Sequence, residues 1–281
     1  MRRVPPRQQS LPIAMFDSGV GGLTVLHECL VSLPHEDFLY LGDTARFPYG
    51  NREAAELREF ALELAELLLA EGAKLLVVAC NSATAAALAQ LRAELRGRVG
   101  VVAVVEPESG LAARSTRNGR VGLLATPATV ASGAYERALK EAAPDAHLHA
   151  VACPELAPMI QAGDEFDQRT VDTVEAYCEP LRKAAVDTVI LGCTHYPLVR
   201  PILQRALGRG VTIVSSGQAI ADAVHEELIA EGIENHPDRR GRYGFLATGD
   251  PEAFRRVGTR FLQMPLGSVR QVQVRDARRA A

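Results

Sequence analysis

Two segments of this sequence end in a cysteine that could do chemistry. Residues 189–198, VILGCTHYPL, present Cys193 at the end of an apolar run, directly followed by Thr194 and His195. A second apolar run ends in Cys80 and continues with an amide and a hydroxyl side chain. Free cysteine is often buried for packing alone. Residue types therefore leave Cys193 open as a buried hydrophobe, a metal ligand, half of a disulfide or a reactive group.

The cysteine count narrows these alternatives. The chain holds five cysteines, at positions 29, 80, 153, 178 and 193, and no CxxC pair. An odd number in a reducing compartment disfavours a structural disulfide framework. Cys193 and His195 have no second cysteine or histidine cluster at zinc-finger spacing, which disfavours structural zinc. A buried cysteine and a reactive thiol remain.

Composition bounds the class of protein. The chain has 281 residues, a formal net charge of −3, no tryptophan and 23% charged residues, which is typical of a globular protein with a sizeable core. A slightly negative net charge does not indicate a protein that binds nucleic acid. No apolar stretch approaches the roughly 20 residues needed to span a bilayer, and the N-terminal residues lack the apolar core of a signal peptide. We expect a cytoplasmic protein that binds neither nucleic acid nor a membrane.

The order of apolar and amphipathic segments predicts an α/β fold. Short, almost continuously apolar runs are typical of strands covered on both faces. The segments between them repeat apolar residues at helical spacing, as in residues 57–68. This alternation predicts parallel sheets with crossover helices. We predict strands over residues 11–17, 37–43, 74–80, 99–105, 120–126, 146–152, 187–193 and 211–217.

The halves of the chain predict two similar, pseudo-symmetric domains, each a mainly parallel sheet flanked by helices, with the active site in the cleft between them. Thr126 followed by Pro127 predicts an N-cap and a first helical residue, opening a helix over residues 128–143. The predicted division is a disordered N-terminal extension 1–10, a first domain 11–105 plus 218–275, a second domain 106–217 and a C-terminal tail 276–281.

The two cysteine segments are equivalent in the two halves. Ligands of open α/β sheets collect beyond the carboxyl ends of strands, so Cys80 and Cys193 are expected to face one cleft. The start of a following helix should lower the pKa of each thiol. One thiolate could then remove a proton from a carbon acid while the opposite thiol delivers one, inverting the centre. The alternative is a single nucleophilic Cys193 activated by His195.

Polar residues also follow two other predicted strands. In residues 16–26, Asp17 and Ser18 precede several glycines, which we interpret as turn formers that expose backbone N–H groups to an anion such as a carboxylate. In residues 41–50, Asp43 precedes a Pro-Tyr-Gly turn. From spacing alone, that second segment is an ordinary loop with a capping aspartate.

Five segments together carry a resemblance to a known family. They are FDSGVGGLTVL, YLGDTARFPYG, VVACNSATA, ILGCTHYPL and FLATGDPEAFRRVG. In this order across residues 11–275, they resemble the glutamate racemases of the aspartate/glutamate racemase superfamily. The resemblance implies a two-domain α/β enzyme that interconverts L- and D-glutamate without a cofactor and supplies D-glutamate for peptidoglycan. It also leads us to expect a homodimer.

The resemblance implies roles for single residues. Cys80 takes the proton from D-glutamate, and Cys193 takes it from L-glutamate. Asp17 assists the first thiol and His195 the second, while Asp43 is auxiliary at most. The substrate-binding residues that the resemblance implies are Asp17, Ser18, Tyr49, Gly50, Asn81, Ser82, Thr194 and His195.

The chain departs from the family pattern at several positions. Gln161 stands where the family often has Glu, which leaves a carboxylate role there open. Ser215 stands where Asp is common, Ala125 where Gly is common, and Ser82 where Thr is common. No lysine lies in the five segments, so nothing predicts a Schiff base, and we expect neither a cofactor nor a metal. Backbone N–H groups and hydroxyls would stabilise the developing charge.

Other functions remain alternatives at this point. Aspartate racemase belongs to the same superfamily, and the side-chain pocket is not readable from the sequence. A decarboxylase of this superfamily uses one essential cysteine, which two strand-end thiols disfavour. A thiol redox protein would need Cys80 and Cys193 close enough to bond, leaving no room for a substrate. A protein that keeps the fold and regulates a partner is the alternative from a different class.

Overall fold

The structure is a computed structural model that describes residues 9–163 and 167–274. Within these residues ten strands form two sheets, and every strand is parallel to its neighbours. The strands are β1 Ile13–Asp17, β2 Phe38–Gly42, β3 Leu75–Val78, β4 Gly100–Ala103, β5 Arg120–Ala125, β6 His147–Ala152, β7 Thr188–Gly192, β8 Thr212–Val214, β9 Tyr243–Ala247 and β10 Val269–Gln271.

Helices follow almost every strand, as expected for right-handed crossovers. A short 3-10 helix, Tyr196–Val199, follows β7. The α-helices are α1 Leu23–Ser32, α2 Ala54–Ala70, α3 Asn81–Glu94, α4 Val105–Ser115, α5 Pro127–Ala131, α6 Ala134–Ala142, α7 Leu156–Ala162, α8 Gln168–Lys183, α9 Arg200–Leu207, α10 Ser216–Glu231 and α11 Pro251–Leu262.

The predicted α/β class and parallel sheets are confirmed. The first sheet has the order β10-β9-β2-β1-β3-β4, and the second has the order β6-β5-β7-β8. All eight predicted strands are present, and β1, β3 and β7 are buried along their whole length. Strands β9 and β10 were not predicted. The last of these is a three-residue edge strand with exposed polar residues, so its sequence lacks the apolar run that marks a covered strand.

One predicted helix is in fact two. Thr126 caps α5 by accepting from the N–H of Thr129, and Pro127 is the first helical residue, as predicted. The helix predicted over residues 128–143 breaks at Gly133, which has φ of +64°. This left-handed conformation suits glycine and ends a helix. Helix α6 begins directly after the break, and its Tyr135 is buried in the core.

Helix α4 connects β4 of the first sheet to β5 of the second sheet. Helix α10 connects β8 of the second sheet to β9 of the first sheet. The predicted domain boundaries at 105/106 and 217/218 therefore each fall at the start of a continuous helix, α4 and α10 respectively. A single cluster of buried apolar side chains runs through both halves, including Met15, Ala112 and Leu191. The exact domain limits stay a prediction.

The predicted terminal segments lie largely beyond this description. Residues 1–8 of the predicted extension and the predicted tail 276–281 lie outside the described residues. Gln9 is described, and its carbonyl accepts a hydrogen bond from the buried Lys74 ammonium at 2.9 Å. No helix among residues 9–163 and 167–274 combines the length and apolar character needed to cross a bilayer.

Candidate active site

The fold brings the two predicted thiols to one cleft. Cys80 follows β3 and is the N-cap residue of α3, and Cys193 directly follows β7. The side chains are 4% and 7% exposed, and both line a cleft that encloses about 410 Å³, part of it open to solvent. Each thiol comes from the carboxyl edge of a different sheet, which is the arrangement that the equivalent segments predicted.

The cleft gathers nine of the ten predicted site residues. Asp17 is the exception, because its fully buried carboxylate lies behind the cleft surface. The predicted residues that line the cleft are Ser18, Tyr49, Gly50, Cys80, Asn81, Ser82, Cys193, Thr194 and His195. Thr126, which the sequence predicted only as a helix N-cap, lines it as well.

The glycines after Asp17 hold a carboxylate of the protein itself. The Asp17 carboxylate accepts from the N–H groups of Gly19 and Gly22, at 3.2 and 3.1 Å. Burial raises the pKa of Asp17, and these N–H groups and the Cys80 side chain oppose the rise. The interpretation of the glycines as a site for an external anion is therefore corrected, since at least two of the N–H groups serve Asp17.

Gly21 allows the two halves to approach each other at the site. A Cβ at this position would collide with the His195 ring, lying 2.5 Å from Cε1, and with the Thr194 hydroxyl. Thr194 also accepts, through its carbonyl oxygen, a 3.0 Å hydrogen bond from the Thr24 hydroxyl. The glycine is needed here for contact between the halves, because any side chain would displace residues that line the cleft.

The environment of Cys80 differs from the expectation. Burial raises the pKa of the Cys80 thiol to about 12, and the negative charge of Asp17 adds to the rise. The N–H groups of Ala83 and Ser18 and the Ser18 hydroxyl lower it, as a helix start should. The expected lowering of the Cys80 pKa was wrong because desolvation of a fully buried thiolate outweighs these donors.

Cys193 has a histidine neighbour and no α-helix directly behind it. Burial raises the pKa of Cys193 well above that of an ordinary thiol, again against the expectation, and Asp17 adds to the rise. Its Sγ lies 3.9 Å from His195 Nδ1. The next element is the 3-10 helix Tyr196–Val199, which is too short to supply the dipole of a longer helix.

His195 is neutral and faces Cys193 with one nitrogen. Burial lowers the His195 pKa to about 3, and the rings of Phe47 and Phe261 lie 5.4 and 5.1 Å from the imidazole. His195 Nε2 lies 3.0 Å from Gln161 Oε1. A proton on Nε2 satisfies that amide oxygen and leaves Nδ1 as an acceptor toward Cys193.

Gln161 is therefore a site residue that the sequence flagged only as a departure. It lies in α7 and contacts His195 directly. The other departures are different. Ala125 ends β5, and Ser215 is the N-cap residue of α10 without a side-chain capping bond. Neither lines the cleft.

The Pro-Tyr-Gly turn is braced by Asp43. The Tyr49 hydroxyl donates to the Asp43 carboxylate, which also pairs with Arg46 at 2.6 Å and accepts from the Thr248 hydroxyl at 2.7 Å. Thr248 belongs to the late FLATGD segment, so that segment stabilises the Pro-Tyr-Gly loop through the hydrogen bond to Asp43. The Tyr49 hydroxyl is thus committed to the protein, and its ring contributes to the cleft wall.

Hydroxyl groups bridge the cleft on its other side. The Ser82 and Thr126 hydroxyls lie 2.8 Å apart, and Thr129 completes a triangle with distances of 3.3 and 2.9 Å. A Cβ on Gly50 would lie 2.8 Å from the Thr126 side chain. Ser82 lies in α3, after a strand of the first sheet, and Thr126 follows β5 of the second sheet, so their contact joins the two halves at the cleft.

The remaining cysteines have packing roles. All five cysteines are free thiols, and Cys29 and Cys178 are fully buried in the apolar core, as predicted from their helical positions. Cys153 directly follows β6 and is buried in the same apolar core. Among residues 9–163 and 167–274, no group of three His, Cys, Asp or Glu side chains is arranged to hold a metal ion.

Comparison with known proteins identifies the family. Residues 25–224 match the family model for Asp/Glu/hydantoin racemases. The chain is 48% identical over 261 residues to the glutamate racemase of Beutenbergia cavernae, covering 89% of each chain. The crystal structure of a glutamate racemase isoform from Bacillus anthracis superposes with a TM-score of 0.88 at 36% identity, covering 95% of this chain and 98% of that one.

A second solved structure matches equally well in fold. The glutamate racemase of Francisella tularensis, determined in complex with D-glutamate, superposes with a TM-score of 0.88 at 29% identity, covering 94% of this chain and 98% of that one. The family model spans more than half of the chain, and the curated relative shares almost half of its residues over nearly the whole length. This chain therefore belongs to the Asp/Glu/hydantoin racemase family and, within it, to the glutamate racemases.

Proposed function

We propose that this chain interconverts L- and D-glutamate by a two-base mechanism, without a cofactor. The observation that carries the proposal is that the two thiols line one cleft and come from the carboxyl edges of two different sheets. One thiolate removes the α-proton from one face of the substrate, and the opposite thiol protonates the other face. By family resemblance, Cys80 acts on D-glutamate and Cys193 on L-glutamate.

The raised pKa of each thiol suits the chemistry. The α-proton of an amino acid is only weakly acidic, so a stronger base removes it more easily once that base has formed. Burial makes thiolates rare in this site but strongly basic. The ammonium group of a bound amino acid would add positive charge to the cleft and favour the thiolate.

Each thiol has a proton acceptor at hand. Asp17 contacts Cys80, and because burial raises its pKa it holds a proton more readily than an ordinary carboxylate. His195 is neutral, with Nδ1 directed at Cys193. We assign to Asp17 and His195 the task of taking the thiol proton on the side that acts as the base. The opposite thiol, which protonates the substrate, is left as a thiolate. After the product leaves, exchange with solvent reprotonates that thiolate and removes the proton held by Asp17 or His195.

The remaining cleft residues are proposed to hold the substrate. Ser18, Asn81, Ser82 and Thr194 present polar groups along the cleft, and Tyr49 and Gly50 line it as well. The identity of the substrate follows from the relatives: one of the matching structures carries D-glutamate. We further infer from the family that the D-glutamate is used for peptidoglycan, that the enzyme acts in the cytoplasm and that it forms a homodimer.

The decisive experiment follows the α-hydrogen in D₂O with purified protein and no added cofactor. L-glutamate is supplied as the substrate. The two enantiomers in early samples are separated, and the deuterium content of each is measured by mass spectrometry. Two-base inversion should give D-glutamate that carries one deuterium, while the remaining L-glutamate is still unlabelled. The same should hold in the reverse direction.

Two results would overturn parts of the proposal. A folded protein that changes neither the optical rotation nor the deuterium content of glutamate is not a glutamate racemase. Early D-glutamate without deuterium would show that a single group removes and returns the same proton, which contradicts the two-thiol mechanism. L- and D-aspartate, assayed in parallel, test the nearest alternative substrate.

A further inference from the structure

A buried polar cluster lies behind the cleft, and of its members only Asn81 has a role in the mechanism above. It consists of Asn81, Glu108 and Tyr135, which are 2%, 0% and 1% exposed. Asn81 is the first residue of α3, Glu108 lies in α4 between the two sheets, and Tyr135 lies in α6 of the second half. The cluster therefore joins three parts of the molecule directly beside Cys80.

Each hydrogen bond in this cluster has a defined direction. Asn81 Nδ2 donates to Glu108 Oε2 at 3.2 Å and to the Tyr135 hydroxyl oxygen at 2.6 Å. The Tyr135 hydroxyl in turn donates to Glu108. Burial raises the pKa of Glu108 to about 7, whereas its hydrogen bonds with Ser216, Tyr135 and Asn81 favour the ionised form, which only accepts hydrogen bonds. Glu108 therefore holds the nitrogen end of the Asn81 amide, and both amide hydrogens are used within the cluster.

The carbonyl oxygen of the same amide is not used within the cluster. Asn81 Oδ1 is buried and has no hydrogen-bond partner among the described residues. A buried acceptor without a partner costs free energy and calls for an explanation. Asn81 lines the cleft, whereas Glu108 and Tyr135 do not. The amide is thus held by its nitrogen from behind, and its oxygen is the end that remains for the cleft.

We propose that Glu108 is a positioning residue that fixes the Asn81 carbonyl oxygen as the acceptor for the ammonium group of the substrate. This inference rests on the proposed function. An ammonium group has only donors, so an amide presented by its oxygen binds it, and one presented by its NH₂ group repels it. Because the ammonium group is common to both enantiomers, Glu108 should affect the binding of L- and D-glutamate alike.

The test is Glu108→Gln, which keeps the size of the side chain. The new amide can donate to Asn81 Oδ1 as well as accept from Nδ2, so the Asn81 amide is no longer held in one orientation. We expect KM to rise about five- to ten-fold for both enantiomers, as for the loss of one hydrogen bond, while kcat stays within about two-fold because binding alone is affected.

Glu106→Gln is the matched control. Glu106 lies in the same helix, but its carboxylate pairs with Arg92 on the surface, with about half of each side chain exposed. It should leave both constants unchanged. Tyr135→Phe, which removes one acceptor for Asn81 Nδ2, should raise KM in the same way and decides the question if Glu108→Gln does not fold.

The outcomes separate this inference from the proposed function. An unchanged KM in a folded Glu108→Gln protein with wild-type activity overturns the positioning role, and so does a fall in kcat at constant KM. If the wild-type protein itself does not racemise glutamate, the proposed function fails first. A rise in KM for both enantiomers, absent from Glu106→Gln, supports the inference.

Discussion

The two edges of the cleft use the same local motif with different supports. On the first edge, Cys80 caps the 14-residue helix α3 and contacts a buried carboxylate, Asp17. On the second, Cys193 precedes a short 3-10 helix and faces a neutral imidazole, His195. A strand that ends in cysteine positions the thiol in both cases, but the proton acceptor behind each thiol comes from a different part of the fold.

This difference shows how two similar halves can serve a single reaction. The α-proton leaves from one face and returns to the other, so the halves need equivalent thiols but not equivalent partners. A carboxylate that is buried holds its proton more tightly, and an imidazole that is buried holds it less tightly. Burial therefore changes the proton affinities of Asp17 and His195 in opposite directions.

The largest expected effect is on the thiols themselves. Cys80→Ser and Cys193→Ser should each lower racemisation by at least about 10³-fold, because a serine hydroxyl is a far weaker acid than a thiol. In D₂O, Cys193→Ser should still exchange the α-hydrogen of D-glutamate without inversion, and Cys80→Ser that of L-glutamate. Cys29→Ser, in the core and remote from the cleft, is the control. Full racemisation by either cleft variant would exclude the two-thiol mechanism.

The supports can be compared by isotope effects. Asp17→Asn and His195→Asn should each lower kcat by about 10²- to 10³-fold by removing the proton acceptor of one thiol. With Asp17→Asn, α-deuterated D-glutamate should show the larger primary isotope effect. With His195→Asn, α-deuterated L-glutamate should show it. Equal isotope effects in both variants would mean that each support serves both thiols.

Acid stability should depend on the second edge. The folded-state pKa of His195, about 3, lies below its ordinary value of 6.5. Such a group contributes stability above pH 6.5 and loses it as the pH falls toward 3. Between pH 7 and pH 4 this loss is about 3 kcal/mol. His195→Gln should therefore lose less stability than wild type over this interval, measured by urea unfolding at each pH. Parallel curves would contradict a buried, neutral His195.

The contact of Gly21 with His195 and Thr194, which joins the two edges of the cleft, should be disturbed by a single added methyl group. Gly21→Ala forces His195 and Thr194 to move, and a displacement of about 1 Å in a reacting group costs about 10²-fold in rate. Gly210→Ala, where an added Cβ meets nothing within 4 Å, is the control and should keep wild-type activity. Wild-type kcat in Gly21→Ala would show that the position of His195 is not critical.

The sequence predicted the frame of the molecule well, because the signals for strands are local. Near-continuous apolar runs mark covered strands, so eight strands and both strand-end thiols were found. It did not predict β10, whose three residues carry no such run. It also did not predict the break at Gly133, since a glycine within a helical pattern is tolerated.

Nine of the ten residues that the sequence predicted for the site line one cleft, whereas the electrostatics of the cleft were predicted less well. The residues that line the cleft were named by their positions in motifs, but Gln161, Thr126 and Glu108 act through contacts with distant segments. Nothing in the local sequence shows such contacts. The pKa values of the thiols were predicted in the wrong direction because the local donors are visible in the sequence, whereas the degree of burial is not.

The sequence by itself determined the parallel α/β frame, the duplication of a strand that ends in cysteine and the family. These follow from apolar periodicity and from residue types at fixed spacing, which are properties of short segments. Only the tertiary structure decided that the glycine N–H groups hold Asp17, that Gln161 contacts His195, and that Glu108 holds Asn81. Those depend on which side chains meet in a space that excludes water, and burial then sets their proton affinities.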